Sequence, residues 1–79
     1  MARVEVKLAQ WGMGMNEGVV LEWHKQVGDR VEAGENLVEI EAAKATGAVE
    51  APESGTIVEI LADVDDEVPV GDVLCVIET

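Results

Sequence analysis

Carboxylates aside, few side chains in this 79-residue chain can form a covalent bond or hold a metal ion. Cys75 is the one cysteine, so no internal disulfide forms, and it sits in the apolar run Val73-Leu74-Cys75-Val76-Ile77, which reads as a buried thiol. His24, the one histidine, has no Ser or Cys beside it in a triad pattern and reads as a surface residue at a strand end. Asp63, Asp65, Asp66 and Glu67 are rich in oxygen ligands but lack the spacing and the glycine of a calcium loop, so a turn is expected there and no metal site. Lys44 remains. It stands at the join between two expected strands, within Ala42-Ala43-Lys44-Ala45. On charge and position alone it is a solvated lysine in a hairpin turn. Yet Gly, Asn and Asp normally lead in such turns, and alanines do not. Small neighbours leave the amine unobstructed, which points to selection by something other than turn chemistry.

The elements that must position this lysine follow from composition. Hydrophobic residues make up 48% of the chain, Val and Ile dominate, and Phe and Tyr are absent, which favours strands over helices. Trp11 and Trp23 are the only large anchors. The length allows one small domain, residues 1–79, with an economical core. Five Lys and Arg against seventeen Asp and Glu leave a formal charge of −12, which argues against nucleic acid and against an anionic membrane surface. The acidity serves either solubility or steering toward basic partners. No apolar run reaches transmembrane length and no signal-peptide pattern opens the chain, so a cytoplasmic location is expected, or the mitochondrial matrix in a eukaryote.

An internal repeat organises the chain. Residues 18–41 align with 55–78 without gaps at an offset of 37, and nine of the twenty-four positions are identical, Gly18/Gly55, Asp29/Asp66 and Gly34/Gly71 among them. Each copy reads as strand, turn, short strand, glycine turn, strand. The opening strands are expected at 19–23 and 56–61, short strands around Val31 and Val68, and closing strands at 37–41 and 73–78. Gly28-Asp29 and Asp65-Asp66 mark turns. Outside the repeat, Val4, Val6 and Leu8 alternate along 3–8, and a strand at about 48–51 runs into the turn Pro52-Glu53-Ser54-Gly55. Eight short strands in two similar halves predict an all-β fold, two four-stranded antiparallel sheets facing one another about a pseudo-twofold. The twofold places the Lys44 segment at the end opposite the chain termini.

Glu39-Ile40-Glu41-Ala42-Ala43-Lys44-Ala45-Thr46, followed by Val49-Glu50-Ala51-Pro52-Glu53-Ser54-Gly55, resembles the lipoyl-lysine hairpin of lipoyl domains. The stretch Trp11-Gly12-Met13-Gly14-Met15-Asn16-Glu17-Gly18, with Trp23, Gly28-Asp29-Arg30-Val31 and Gly34-Glu35, is similar to the opening half of the same family. The resemblance implies a flattened β-barrel and lipoic acid in amide linkage to Lys44, the only site residue it transfers. It further implies a swinging-arm carrier with no catalytic residue of its own, part of the dihydrolipoyl acyltransferase of a 2-oxo acid dehydrogenase complex. The implied partners are a thiamin-dependent 2-oxo acid decarboxylase that loads the arm, an acyltransferase core that passes the acyl group to coenzyme A, a flavin-containing dihydrolipoyl dehydrogenase that reoxidises it, and a lipoate ligase or lipoyl transferase that attaches it. In this family the loop 11–18, with Met13 and Met15, lies beside the hairpin and helps partners recognise the domain; local packing is its plainer role.

Two positions depart from the family pattern. Ala43 stands where Asp is usual, and Gly47 where a β-branched residue is common, which should loosen the strand leaving the hairpin. A biotinyl carrier domain shares the fold and modifies a hairpin lysine, but the methionines that usually flank that lysine are missing here. A third reading is an unmodified β-barrel interaction module that keeps the fold alone. An ending at Thr79, where the fold should close, fits a domain of a larger acyltransferase.

Overall fold

The computed structural model describes residues 2–10, 15–42 and 45–79. Eight strands follow in order: β1 (Arg3–Lys7), β2 (Glu17–Trp23), β3 (Arg30–Val31), β4 (Asn36–Ala42), β5 (Ala45–Glu50), β6 (Gly55–Ile60), β7 (Glu67–Pro69) and β8 (Val73–Glu78). They form two four-stranded sheets, β1-β8-β6-β3 and β5-β4-β2-β7, with every pair antiparallel. The first is called here the terminal sheet and the second the hairpin sheet. Among the described residues no helix is long and apolar enough to cross a membrane.

The expected strands are present. The largest departure is β5, which starts at Ala45 and not at about 48, because its pairing with β4 runs on to Ala42↔Ala45. Gly47 lies inside that ladder opposite Ile40, so the glycine does not end the strand.

The sequence repeat becomes a pseudo-twofold that extends to irregularities. Val20↔Ile40 then Glu22↔Glu39 in β2–β4 matches Ile57↔Ile77 then Glu59↔Val76 in β6–β8, with the register slipping at the same place. The two strands outside the repeat obey it as well: Val6↔Cys75 then Lys7↔Val73 mirrors Val49↔Val38 then Glu50↔Asn36. The same operation exchanges the Ala42↔Ala45 pair with the terminal contact, where the Thr79 amide donates to the Ala2 carbonyl.

These two pairs lie at opposite ends of the domain. From Ala45, β5 carries the chain through six residues, about 20 Å at strand rise, before the turn into Gly55. Gly55 packs against Glu78, beside the termini. Between the ends, Leu8, Val20, Val31, Leu37, Ile40, Ile57, Leu74 and Ile77 are sealed from solvent, and no polar side chain is buried among the described residues. Aliphatic strand faces thus supply most of the core among the described residues, with Leu8, Ala51 and Ala62 added from the segments between strands.

Turn chemistry explains two further details. Asp29 Oδ2 accepts the Gln26 amide, and Asp66 Oδ2 accepts the Asp63 amide at the equivalent place, both at 2.9 Å. The residue before each Asp has positive φ: Gly28 at 95° and Asp65 at 75°. The first copy fills the position with the residue that adopts it freely, and the second with one of the few others that tolerate it.

Gly55 is tightly enclosed. A Cβ there would lie 2.5 Å from the Glu78 carbonyl oxygen and 2.7 Å from Ile77 Cγ2. The backbone oxygen cannot rotate away as a side chain would. Gly55→Ala is therefore expected to cost about 1–3 kcal/mol in denaturant unfolding, the range of overpacked cores, whereas Ala at exposed Glu53 should change stability by less than about 0.5 kcal/mol.

Candidate functional site

The hairpin of β4 and β5 is the element in which the sequence sets Lys44. Its rungs run from Val38↔Val49 through Ile40↔Gly47 to Ala42↔Ala45. Ala43 and Lys44, the two residues between those ends, lie outside the described residues. So do Trp11 to Gly14 of the loop that resemblance sets beside the hairpin. Met15, the described methionine of that loop, is partly buried against the core. Its carbonyl accepts Gln10 Nε2 at 3.2 Å, and the neighbouring Asn16 carbonyl accepts the Val70 amide at 2.9 Å. For Met15 the packing role is therefore realised.

Charge is divided between the sheets in a way that composition does not reveal. The strands of the hairpin sheet carry Glu17, Glu22, Glu39, Glu41, Glu50 and Glu67 and no Lys or Arg. The strands of the terminal sheet balance Glu5, Glu59 and Glu78 with Arg3, Lys7 and Arg30. The negative field is thus concentrated on the sheet that carries the hairpin, which favours approach of a cationic surface there.

Trp23, Glu35 and Asp66 have structural employment. Trp23 packs against the core and its Nε1 donates to the Ala62 carbonyl at 2.8 Å, joining β2 to the segment after β6. Nothing in the sequence pairs those two residues, which stand 39 apart. Glu35 accepts the Glu32 amide at 2.8 Å and lies 3.0 Å from Lys25 Nζ; the amide first, then the ammonium, hold its carboxyl below the usual range. Asp66 serves its turn, as expected. His24 lies at the end of β2 with Nε2 3.5 Å from Glu39 Oε1. A groove of about 340 Å³ runs between the edge strands β1 and β5, floored by Val6 and Val49 and rimmed by Glu5, Lys7 and Glu50. None of these groups forms a nucleophile–base pair, so the described residues hold no catalytic constellation.

Comparison with known proteins agrees with this picture. Residues 4–77 match the family model described as "Biotin-requiring enzyme", the biotin/lipoyl family. The chain is 44% identical over 73 residues to the dihydrolipoyllysine-residue acetyltransferase component of the pyruvate dehydrogenase complex of Corynebacterium glutamicum, covering 92% of this chain and 11% of that protein. Among solved structures, the lipoyl domain of the 2-oxoglutarate dehydrogenase complex of Azotobacter vinelandii superposes with a TM-score of 0.78 at 30% identity, over 96% of both chains. The urea carboxylase of Kluyveromyces lactis gives 0.82 at 31% identity, over 99% of this chain and 6% of that one. The chain spans less than a fifth of the length of the curated relatives it matches.

Cys75 is fully buried between β1 and β6, and loss of solvation pushes its thiol up to about 11. At pH 8 about one molecule in a thousand then carries the reactive thiolate. A colorimetric disulfide reagent at pH 8 should leave Cys75 unmodified in the native chain and titrate one thiol in guanidinium. Rapid native labelling would mean that the strand pair opens readily.

Proposed function

From a chain that belongs to the biotin/lipoyl family, we propose a lipoyl carrier domain in which Lys44 bears the lipoyl group. The observation that carries the reading is the hairpin: β4 and β5 stay paired to Ala42↔Ala45 at the end opposite Ala2 and Thr79. A lysine between those two alanines is held away from any tether attached to the termini. The surroundings fit an amide-linked group, because Ala42 and Ala45 bring no charge and no bulk to the attachment point. Amide formation neutralises the lysine and takes the formal charge from −12 to −13.

Lipoic acid supplies a dithiolane that accepts an acyl group from one enzyme and yields it to another. The chain's contribution is presentation. The ladder, paired to Ala42↔Ala45, sets the base from which the arm extends, and tethering replaces free diffusion by a high effective concentration. The partners on this reading are a thiamin-dependent 2-oxo acid decarboxylase, the acyltransferase core, the dihydrolipoyl dehydrogenase and a lipoate ligase. The carboxylates of the hairpin sheet favour partners that present a basic surface, whose encounter they accelerate at low salt.

Lipoate ligase with lipoate and ATP should add one lipoyl mass to the chain and none to Lys44→Ala. Equal labelling of Lys7 or Lys25 would defeat the assignment, and a biotin adduct formed as readily by a biotin ligase would favour the carboxylase relatives.

Ala43 separates attachment from recognition. The ligase needs an accessible amine in a paired hairpin, whereas the decarboxylase reads the side chains beside the arm. A carboxylate at 43 adds an acceptor worth about 1.5–3 kcal/mol against a charged donor. Ala43→Asp is expected to leave the ligation rate unchanged and raise the rate of reductive acylation by a decarboxylase. A strong change in ligation with none in acylation would place recognition in the wrong step.

A further inference from the structure

Glu22, His24 and Glu39 converge on the outer face of the hairpin sheet, away from the β4–β5 connection. Glu22 and Glu39 are direct partners across β2 and β4, and His24 follows two residues after Glu22, where the inward Trp23 forces both neighbours outward. One potential ligand atom from each residue lies within 4.8 Å of the others, and His24 Nε2 stands 3.5 Å from Glu39 Oε1. We propose that these three side chains form a binding site for a borderline divalent cation of the zinc class.

The pseudo-twofold provides an internal control. The positions equivalent to Glu22, His24 and Glu39 in the terminal sheet are Glu59, Leu61 and Val76. There the backbone is the same, with Glu59 opposite Val76 after the same slip and the Leu61 amide bonded to Leu74 as the His24 amide is to Leu37. The fold therefore builds this strand pair with one carboxylate and two aliphatic residues. The second carboxylate and the imidazole answer no structural demand.

They also carry a cost. Like charges directly opposed across a ladder destabilise it. Among the described residues the cations are placed elsewhere: Lys25 pairs with Glu35 and Arg30 lies by Glu32, while Arg3 and Lys7 belong to β1 of the other sheet. A divalent ion shared by Glu22 and Glu39 converts the repulsion into attraction and moves the formal charge from −12 to −10.

The donor set selects the ion. Neutral imidazole nitrogen with carboxylate oxygens suits zinc, whereas calcium and magnesium prefer all-oxygen shells of higher coordination. With bonds of about 2.0–2.2 Å, ligand atoms of a tetrahedral shell lie about 3.3–3.6 Å apart. The His24–Glu39 pair already has that spacing, and exposed Glu22 closes the third corner by side-chain rotation. Water completes the fourth position. Because the only thiol, Cys75, is buried, it offers no competing site in the native chain.

The test uses the chain without a lipoyl group, so that no dithiol competes. Zinc is titrated by calorimetry while the imidazole resonances, of which the sequence permits only one set, are followed by NMR. The expected result is one equivalent bound with a shift of the His24 ring signals, and a weakening of about tenfold or more in each of His24→Ala and Glu39→Gln. All three residues are at least partly exposed, so both variants fold, and Glu39→Gln, which removes one of the opposed charges, melts at or slightly above the metal-free parent. Zinc should raise that temperature in the parent chain and not in His24→Ala. The site is refuted if the His24 signals stay in place at saturating zinc, if His24→Ala binds as the parent does, or if calcium displaces zinc at equal concentration.

Discussion

The structure depends on an exchange of turns between its halves. The Gly28 amide donates to the Ile57 carbonyl, and the Ile57 amide returns a bond to the Asp29 carbonyl. The Asp65 amide donates to the Val20 carbonyl, and the Val20 amide bonds Asp66 in the same way. Each copy of the repeat thus completes its first turn on the opening strand of the other. Neither copy can satisfy those backbone groups alone, and neither can bury its aliphatic face alone. A chain of this size has little core to spare, so this reciprocity makes folding of the two halves one event.

That exchange also separates what the sequence discloses from what it conceals. The glycines and aspartates in step at 37 residues gave the repeat, the strand order within each half and the all-β class. Turn residues are legible because the conformations they permit are local. Pairing is not local. The extension of β5 to Ala45 followed from the register with β4, which no alternation in Ala45-Thr46-Gly47-Ala48 announces. Positive φ at Asp65 was recoverable only by carrying Gly28 across the repeat. The Trp23–Ala62 bond links residues with no common motif.

The candidate site divides along the same line. Lys44 stood out by its alanine flanks, a matter of residue type that required no coordinates. The carboxylates that surround its hairpin's sheet stood out only after the strands were sorted, because Glu17, Glu22, Glu39, Glu41, Glu50 and Glu67 are scattered along the chain and unite in one sheet. His24 looked like a surface residue by every rule of sequence. Its meeting with Glu22 and Glu39 arises from a one-residue slip in β2–β4 that the sequence does not mark.

The contact between Thr79 and Ala2 has a mechanical meaning. Chain leaving the domain at either terminus departs from the same end, beside the Arg3↔Glu78 rung. Tension applied through both termini would load the β1–β8 ladder one rung at a time, from Arg3↔Glu78 inward, and no set of bonds would share the force in parallel. Such an arrangement opens like a zipper under small loads. Tension borne by one terminus alone leaves the ladder unloaded, and the domain then rides as a freely pivoting weight on a single cord.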